Sequence, residues 1–187
     1  ELYGEVPLEN ENFTKIVSDR HFKRLCSFLN CGEIYYGGKV NEAASMIEPT
    51  ILTKVSWEDA VMQDEIFGPI LPVLEYEDIN GIIEKINNQP KPLALYIFSE
   101  SEEVQQKVTN RTSFGGGCIN DTVYHLSSPY LPFGGIGNSG TGAYHGEESF
   151  LTFSHKKSML KQTTKFDIPF RYPHLKDGLR KVKRFLK

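Results

Sequence analysis

The 187-residue chain has little with which to build a cross-linked or metal-bound fold. It has three cysteines, Cys26, Cys31 and Cys118, and no C-x-x-C pair. An odd number without paired spacing fits reduced thiols in a cytoplasmic setting better than a disulfide framework. No Cys and His residues fall at zinc spacing, so no metal is expected. No apolar run reaches the roughly 18 residues that a spanning helix needs. The first residue is Glu1 rather than Met. No basic segment followed by an apolar one marks a signal peptide, so the chain reads as processed or as a piece of something longer.

What is present is globular: 39% hydrophobic, 12% aromatic and 24% charged residues. The net charge of −3 conceals two opposed blocks. Residues 1–150 carry −12, and residues 151–187 carry +9. A basic end suits nucleic acid, an anionic membrane surface, or a solvated terminus beside an acidic body.

Along the chain, Phe13, Ile16 and Val17, then Phe22, Leu25, Cys26 and Leu29, fall at 3–4 spacing. This predicts an amphipathic helix ending near Asn30 and Gly32. Ile34-Tyr35-Tyr36 is a short strand closed by Gly37-Gly38. Three apolar runs follow, Ile70 to Tyr76, Leu93 to Phe98 and Gly116 to Asn120. Between them lie helical patterns, one capped by Asp78 through Ile86 and one capped by Ser99 or Ser101 through Val108. Alternation of this kind predicts parallel strands with crossover helices, covered on both faces. Pro72 conflicts with a central strand, because proline cannot donate to the ladder. Residues 127–146 read as a long ordered loop.

Gly135-Ile136-Gly137-Asn138-Ser139-Gly140 fits G-x-G-x-x-G. A dinucleotide fingerprint needs a strand before it, a helix at it and an acidic residue about 20 positions on. Pro132-Phe133 precedes it and Phe153 to Lys157 stand downstream, so the glycines read as tight turns. Cys118 follows three glycines, but its nearest base, His125, is seven residues away, and a buried strand cysteine is expected. Glu65-Ile66-Phe67-Gly68-Pro69 joins a carboxylate able to accept from two sugar hydroxyls to a ring able to pack on a ribose. A surface acid beside a core aromatic has the same composition. His145 titrates near neutrality and lies beside Tyr144 in the loop region.

Several ordered segments together resemble class 3 aldehyde dehydrogenases, the group that includes the fatty aldehyde dehydrogenases. They are Arg20-His21-Phe22, Ile47 to Leu52, Val61 to Pro72, Lys91 to Tyr96, Pro132 to Gly140, Gly142 to Gly146 and Ser149 to His155. The likeness runs from Leu2 to about Tyr172. It implies an α/β fold, the C-terminal part of a parallel-sheet three-layer catalytic domain with a protruding oligomerisation strand. Residues 1–150 would belong to that catalytic domain and 151–187 to an oligomerisation arm with a basic tail.

By the same resemblance, the reaction oxidises aldehydes to carboxylic acids with NAD or NADP through a cysteine thiohemiacetal and thioester. Glu65 would bind the nicotinamide-ribose hydroxyls and Phe67 would pack beside that ribose. Phe133, Tyr144 and His145 would border the aldehyde tunnel. Residues 154–162 would cross to a partner in a homodimer. The resemblance implies a medium- or long-chain aliphatic or an aromatic aldehyde and no nucleic acid, while the basic tail leaves a soluble enzyme and a peripheral membrane contact both open. The family's nucleophilic cysteine, general-base glutamate and oxyanion asparagine all precede the point matching Glu1. This chain therefore holds no catalytic residue of that set and is expected to be inactive alone. A structural oligomerisation module and a residual dinucleotide-binding module are the alternatives.

Overall fold

The apolar spacing around Phe22 and Leu25 folds into helix α1 (Asp19–Phe28). A computed structural model describes residues 3–169, 172 and 176–185. Glu1 and Leu2, and Phe170, Arg171, Pro173, His174, Leu175, Leu186 and Lys187 of the basic tail, lie outside the described residues. The chain divides into two units, Glu1–Gln89 with Gln106–Thr112, and Pro90–Gln105 with Ser113–Lys187.

In the first unit, α1 begins later than its apolar pattern suggests. Ser18 is the N-cap, its hydroxyl accepting from the His21 N–H at 3.3 Å, and Val17 just before it is 95% exposed. The cap overrides the upstream hydrophobic spacing because it satisfies a backbone donor that the helix start would otherwise leave unpaired. The buried face of α1 is Phe22, Leu25 and Phe28.

Strand β1 (Glu33–Tyr36) runs antiparallel to β4 (Thr50–Thr53), which runs parallel to β5 (Ile70–Pro72), in the order β1-β4-β5. The sheet is therefore mixed, where the sequence pattern predicts parallel strands alone. Pro72 is tolerated because β5 lies at the edge of this sheet among the described residues. A small ribbon, β2 (Val40–Asn41) with β3 (Met46–Ile47), leads into β4. Thr50 anchors the join, its buried hydroxyl donating to the Glu48 carbonyl at 2.7 Å and accepting from Gly38 N–H at 3.0 Å.

The core of this unit joins Phe22, Leu25, Phe28, Ile47, Leu52, Val55, Val61 and Ile70. Each fully buried side chain of this kind contributes about 1.5–3 kcal/mol. Helix α2 (Ile79–Asn87) is capped as its sequence predicts, Asp78 accepting from Gly81 N–H at 2.8 Å.

In the second unit, β6 (Ala94–Ile97) pairs parallel with β7 (Gly116–Ile119) in register Ala94 to Gly116 through Ile97 to Ile119. Helix α3 (Glu102–Arg111) connects them in sequence, as the predicted strand–helix–strand alternation requires, and from Gln106 onward it belongs to the first unit. It starts at Ser101, whose hydroxyl accepts from Val104 N–H at 3.4 Å. Strand β5 takes β4 as its partner within the first unit, and β6 takes β7 within the second. The three apolar runs are not covered on both faces, since Leu71, Phe98 and Ile119 stay exposed.

Helix α4 (Gly146–Thr152) follows the glycine-rich loop, and α5 (Gly178–Phe185) lies in the basic tail. Residues 154–162 form no strand within this single chain. No helix among the described residues is long and apolar enough to cross a membrane.

Candidate functional site

Two groups of the residues singled out by sequence are placed by the fold, one in each unit. In the first unit, the loop Glu65-Ile66-Phe67 is held by its backbone. Arg24 on α1 donates through Nη2 to the carbonyls of Glu65 at 3.0 Å and Ile66 at 2.8 Å. His21, one turn earlier, lies with Nε2 2.8 Å from the Phe67 carbonyl. A carbonyl only accepts, so Nε2 carries the proton and Nδ1 is left to accept from Arg24 Nε, 3.4 Å away. The Arg24 guanidinium also lies over the Phe28 ring, 5.0 Å from its centroid.

The loop so held is strained. Phe67 has φ of +48°, in the left-handed region that costs a side-chain-bearing residue roughly 1–2 kcal/mol. Its ring is 74% exposed. Beside it the exposed Glu65 carboxylate makes no hydrogen bond among the described residues, which leaves both oxygens to accept. At the next position a Cβ on Gly68 would lie 2.5 Å from Leu25 Cδ1, so a larger residue there must displace that buried side chain.

In the second unit, Phe133, Tyr144 and His145 come together as one aromatic group. The backbones of Phe133 and Tyr144 exchange two 2.9 Å hydrogen bonds and close the glycine-rich loop between them. The Phe133 and His145 rings stack with centroids 5.7 Å apart, and Tyr144 meets His145 edge-on at 4.5 Å. His145 has φ +80° and ψ +140°, a conformation that costs of order 1–3 kcal/mol and collects at functional sites. Ser149 and Thr152 of α4 hold this stretch. The Ser149 hydroxyl accepts from His145 N–H at 2.8 Å, and the Thr152 hydroxyl donates to the Ala143 carbonyl at 3.0 Å. A cavity of about 470 Å³ opens here, lined by Pro129, Tyr130, Pro132, His145 and Glu147 among others.

The glycines inside the loop pack it against itself. A Cβ on Gly134 would strike the Gly142 carbonyl, and one on Gly135 the Ser139 carbonyl. Only a single 3-10 turn, Gly137–Ser139, starts in the G-x-G-x-x-G stretch. The pyrophosphate fingerprint requires a full helix there.

Further residues that the sequence does not single out for a site join the aromatic group. Tyr96 on β6 and buried His125 continue the ring contacts toward Phe133, at 5.9 Å and 5.7 Å. The short turn Tyr124–Leu126 carries His125 back over β7, so its Nδ1 lies 3.6 Å from Cys118 Sγ. Cys118 is thus half-buried with an imidazole beside it, rather than a plain core cysteine. In the first unit the unassigned residue is Arg24. His21 and Arg24 share a helical stripe with Leu25 and Phe28, and polar residues on an apolar stripe are the available signal.

Known proteins with similar sequence settle the family. A profile of the aldehyde dehydrogenase family matches residues 6–159. The chain belongs to the aldehyde dehydrogenase family. It is 46% identical to 4,4'-diaponeurosporen-aldehyde dehydrogenase of Staphylococcus aureus over its whole length, covering 41% of that protein. It is 44% identical to the rat dimeric NADP-preferring aldehyde dehydrogenase, covering 86% of this chain and 35% of the relative. To human aldehyde dehydrogenase family 3 member B1 it is 45% identical, over 85% of this chain and 34% of the relative.

Among solved structures, the substrate-bound state of Staphylococcus aureus AldH matches with a TM-score of 0.87 and 45% identity, over 99% of this chain and 41% of that one. An NAD+ complex of a Bacillus cereus aldehyde dehydrogenase matches at 0.67 and 27% identity, over 75% and 29%. The chain thus spans about two-fifths or less of the length of these relatives. Several of these relatives carry family 3 names, and the aldehyde dehydrogenase family uses NAD or NADP as its oxidant.

Proposed function

We propose that this chain supplies the cofactor-ribose contact and the aldehyde-entry wall of an NAD(P)-dependent aldehyde dehydrogenase. The observation that carries the reading is the Glu65–Phe67 loop, in which an unpaired carboxylate stands beside an exposed ring on a backbone fixed from α1. A carboxylate with both oxygens open suits the two vicinal hydroxyls of a ribose, and an exposed phenyl face suits the sugar packed on it. The bound nicotinamide supplies the hydride acceptor. Phe133, Tyr144 and His145 would border the path of a medium- or long-chain aliphatic or an aromatic aldehyde. The nucleophilic cysteine, the general base and the oxyanion asparagine would come from sequence outside this chain, which leaves it inactive alone.

The rest of the reading concerns assembly. Residues 1–150 would complete a three-layer catalytic domain, and 151–187 would form the arm and basic tail. Exposed Met159 and Leu160 suit a strand at 154–162 that pairs with a second subunit in a homodimer. On α5, Leu179 and Val182 lie one turn apart among Arg180, Lys181, Lys183 and Arg184, which suits a peripheral contact with an anionic membrane surface. Three free cysteines suit a cytoplasmic setting.

The test is aldehyde-dependent formation of NADH or NADPH by the full-length protein encoded with this sequence, with Glu65→Gln as the probe. The variant should bind cofactor about tenfold more weakly, since a hydrogen bond to a charged acceptor contributes about 1.5–3 kcal/mol. Unchanged cofactor affinity would remove Glu65 from the site. Turnover by residues 1–187 alone would refute the inactivity of the isolated chain.

A further inference from the structure

We infer that His21 and Arg24 act as one positioning device for the cofactor loop, setting how tightly the Glu65 carboxylate and the Phe67 ring can hold a ribose. This rests on the reading of Glu65 and Phe67 as ribose contacts. Neither His21 nor Arg24 would touch the cofactor.

Three successive carbonyls, of Glu65, Ile66 and Phe67, are each held by a side chain of α1. Ordinary loops satisfy such carbonyls with water or local turns. Here two side chains three residues apart on one helix hold all of them, and the two are joined to each other by the Arg24 Nε to His21 Nδ1 contact. The guanidinium fork makes this possible, because one nitrogen reaches two carbonyls while another faces the imidazole. The arrangement also fixes the imidazole tautomer: with the proton on Nε2, both ring nitrogens are used.

The strain at Phe67 gives the device its purpose. A phenylalanine left free would leave the left-handed region for an extended or helical backbone. Either change swings the Phe67 carbonyl and turns the ring relative to the Glu65 carboxylate. The His21 bond at the Phe67 carbonyl and the close approach of Gly68 to Leu25 hold this conformation from both sides. Because α1 also supplies three core side chains, the loop is tied to the core of its unit. A pre-set loop loses less freedom when ligand binds, and so binds more tightly.

The experiment uses the full-length protein and titrates NAD and NADP by quenching of protein fluorescence. Variants are Arg24→Met, His21→Phe, the double variant, Arg24→Lys and Glu65→Gln. Arg24→Met and His21→Phe should each weaken cofactor binding by about tenfold. The double variant should fall well short of the product of the two, as residues acting as a unit do. Arg24→Lys should recover part of the loss, because an ammonium reaches a carbonyl but not the imidazole as well. In steady-state kinetics the KM for cofactor should rise while that for aldehyde moves less than about twofold, the loop being remote in sequence and function from the aldehyde wall.

If Glu65→Gln weakens cofactor binding and the α1 variants do not, the device is refuted and the ribose reading stands. If Glu65→Gln has no effect, the ribose reading fails and this inference falls with it. If Arg24→Met does not fold, His21→Phe decides. If neither folds, the pair serves the fold alone and the inference is overturned.

Discussion

Replacing Gly68 with alanine tests how tightly the Glu65–Phe67 loop is seated on α1. The new Cβ would lie 2.5 Å from Leu25 Cδ1, 2.8 Å from Cδ2 and 3.2 Å from Cγ. Comfortable carbon–carbon contact is about 3.5–4.0 Å, so the shortfall approaches 1 Å at two atoms. Leu25 has nowhere to retreat, being 0% exposed within the cluster of Phe22, Phe28 and Leu52. Gly68→Ala should therefore cost about 1–3 kcal/mol, the usual range for overpacking. Leu25→Ala should cost about 2–5 kcal/mol through the cavity it leaves. In the double variant the methyl added at position 68 enters that vacated space, so its total cost should fall short of the sum by about 1 kcal/mol or more. Urea denaturation reads all three through the midpoint, with an unchanged slope confirming that the unfolded state is not the cause. A neutral Gly68→Ala, or costs additive within about 0.5 kcal/mol, would refute the contact and with it the seating of the loop.

Asn120 at the end of β7 has φ of +57° and bonds Ser99 twice, its Oδ1 accepting from Ser99 N–H at 2.8 Å and its Nδ2 donating to the Ser99 carbonyl at 3.0 Å. Asn120→Gly should cost about 1–2 kcal/mol and Asn120→Ala about 1 kcal/mol more, because alanine also meets the left-handed penalty; equal costs by thermal denaturation would contradict this. The Gly81 N–H holds the Asp78 carboxyl below the ordinary aspartate range. Its contribution is therefore present above that range and lost as pH falls from about 3.9 through the lower folded value. Asp78→Ala should lower Tm at neutral pH, with the gap closing in acid; a gap independent of pH would count against the cap. Burial, and then Glu42, push the Cys26 thiol up. Its alkylation rate in the folded protein should rise with a midpoint above that of the urea-unfolded chain, and an equal or lower midpoint would contradict this.

Local signals in the sequence locate many elements. Asp78 and Ser101 sit where their helices start, because a capping side chain needs only its own next turn. The sites of β6 and β7 are equally legible from apolar runs bounded by polar clusters. Pairing is less legible. Nothing in Ile70-Leu71-Pro72 shows that its neighbour is β4, since partner choice depends on contacts distant in sequence. The start of α1 shows the same limit from the other side, because Ile16 and Val17 extend the apolar spacing but a cap ends it.

For the site, Glu65 with Phe67, and Phe133 with Tyr144 and His145, come from motif likeness, and each group is assembled by its fold. His21 and Arg24 lie more than 40 residues from the carbonyls they hold, a relation that sequence spacing alone does not display. The position of His125 beside Cys118 depends on one tight turn, which a separation of seven positions conceals.

The chain passes between its two units three times, after Gln89, after Gln105 and after Thr112. When Gln89 leaves a ribosome, the first unit is therefore still incomplete. Buried Val108 still has to arrive, as does Arg111, whose Nη1 bonds Asn80 at 2.9 Å and whose carbonyl accepts from Asn87 at 2.7 Å. Until Thr112 emerges, α2 lacks those two bonds. The nascent chain must then hold its first sheet and α1 in waiting while β6 is already being made, so folding during synthesis cannot proceed by completing one unit before starting the next.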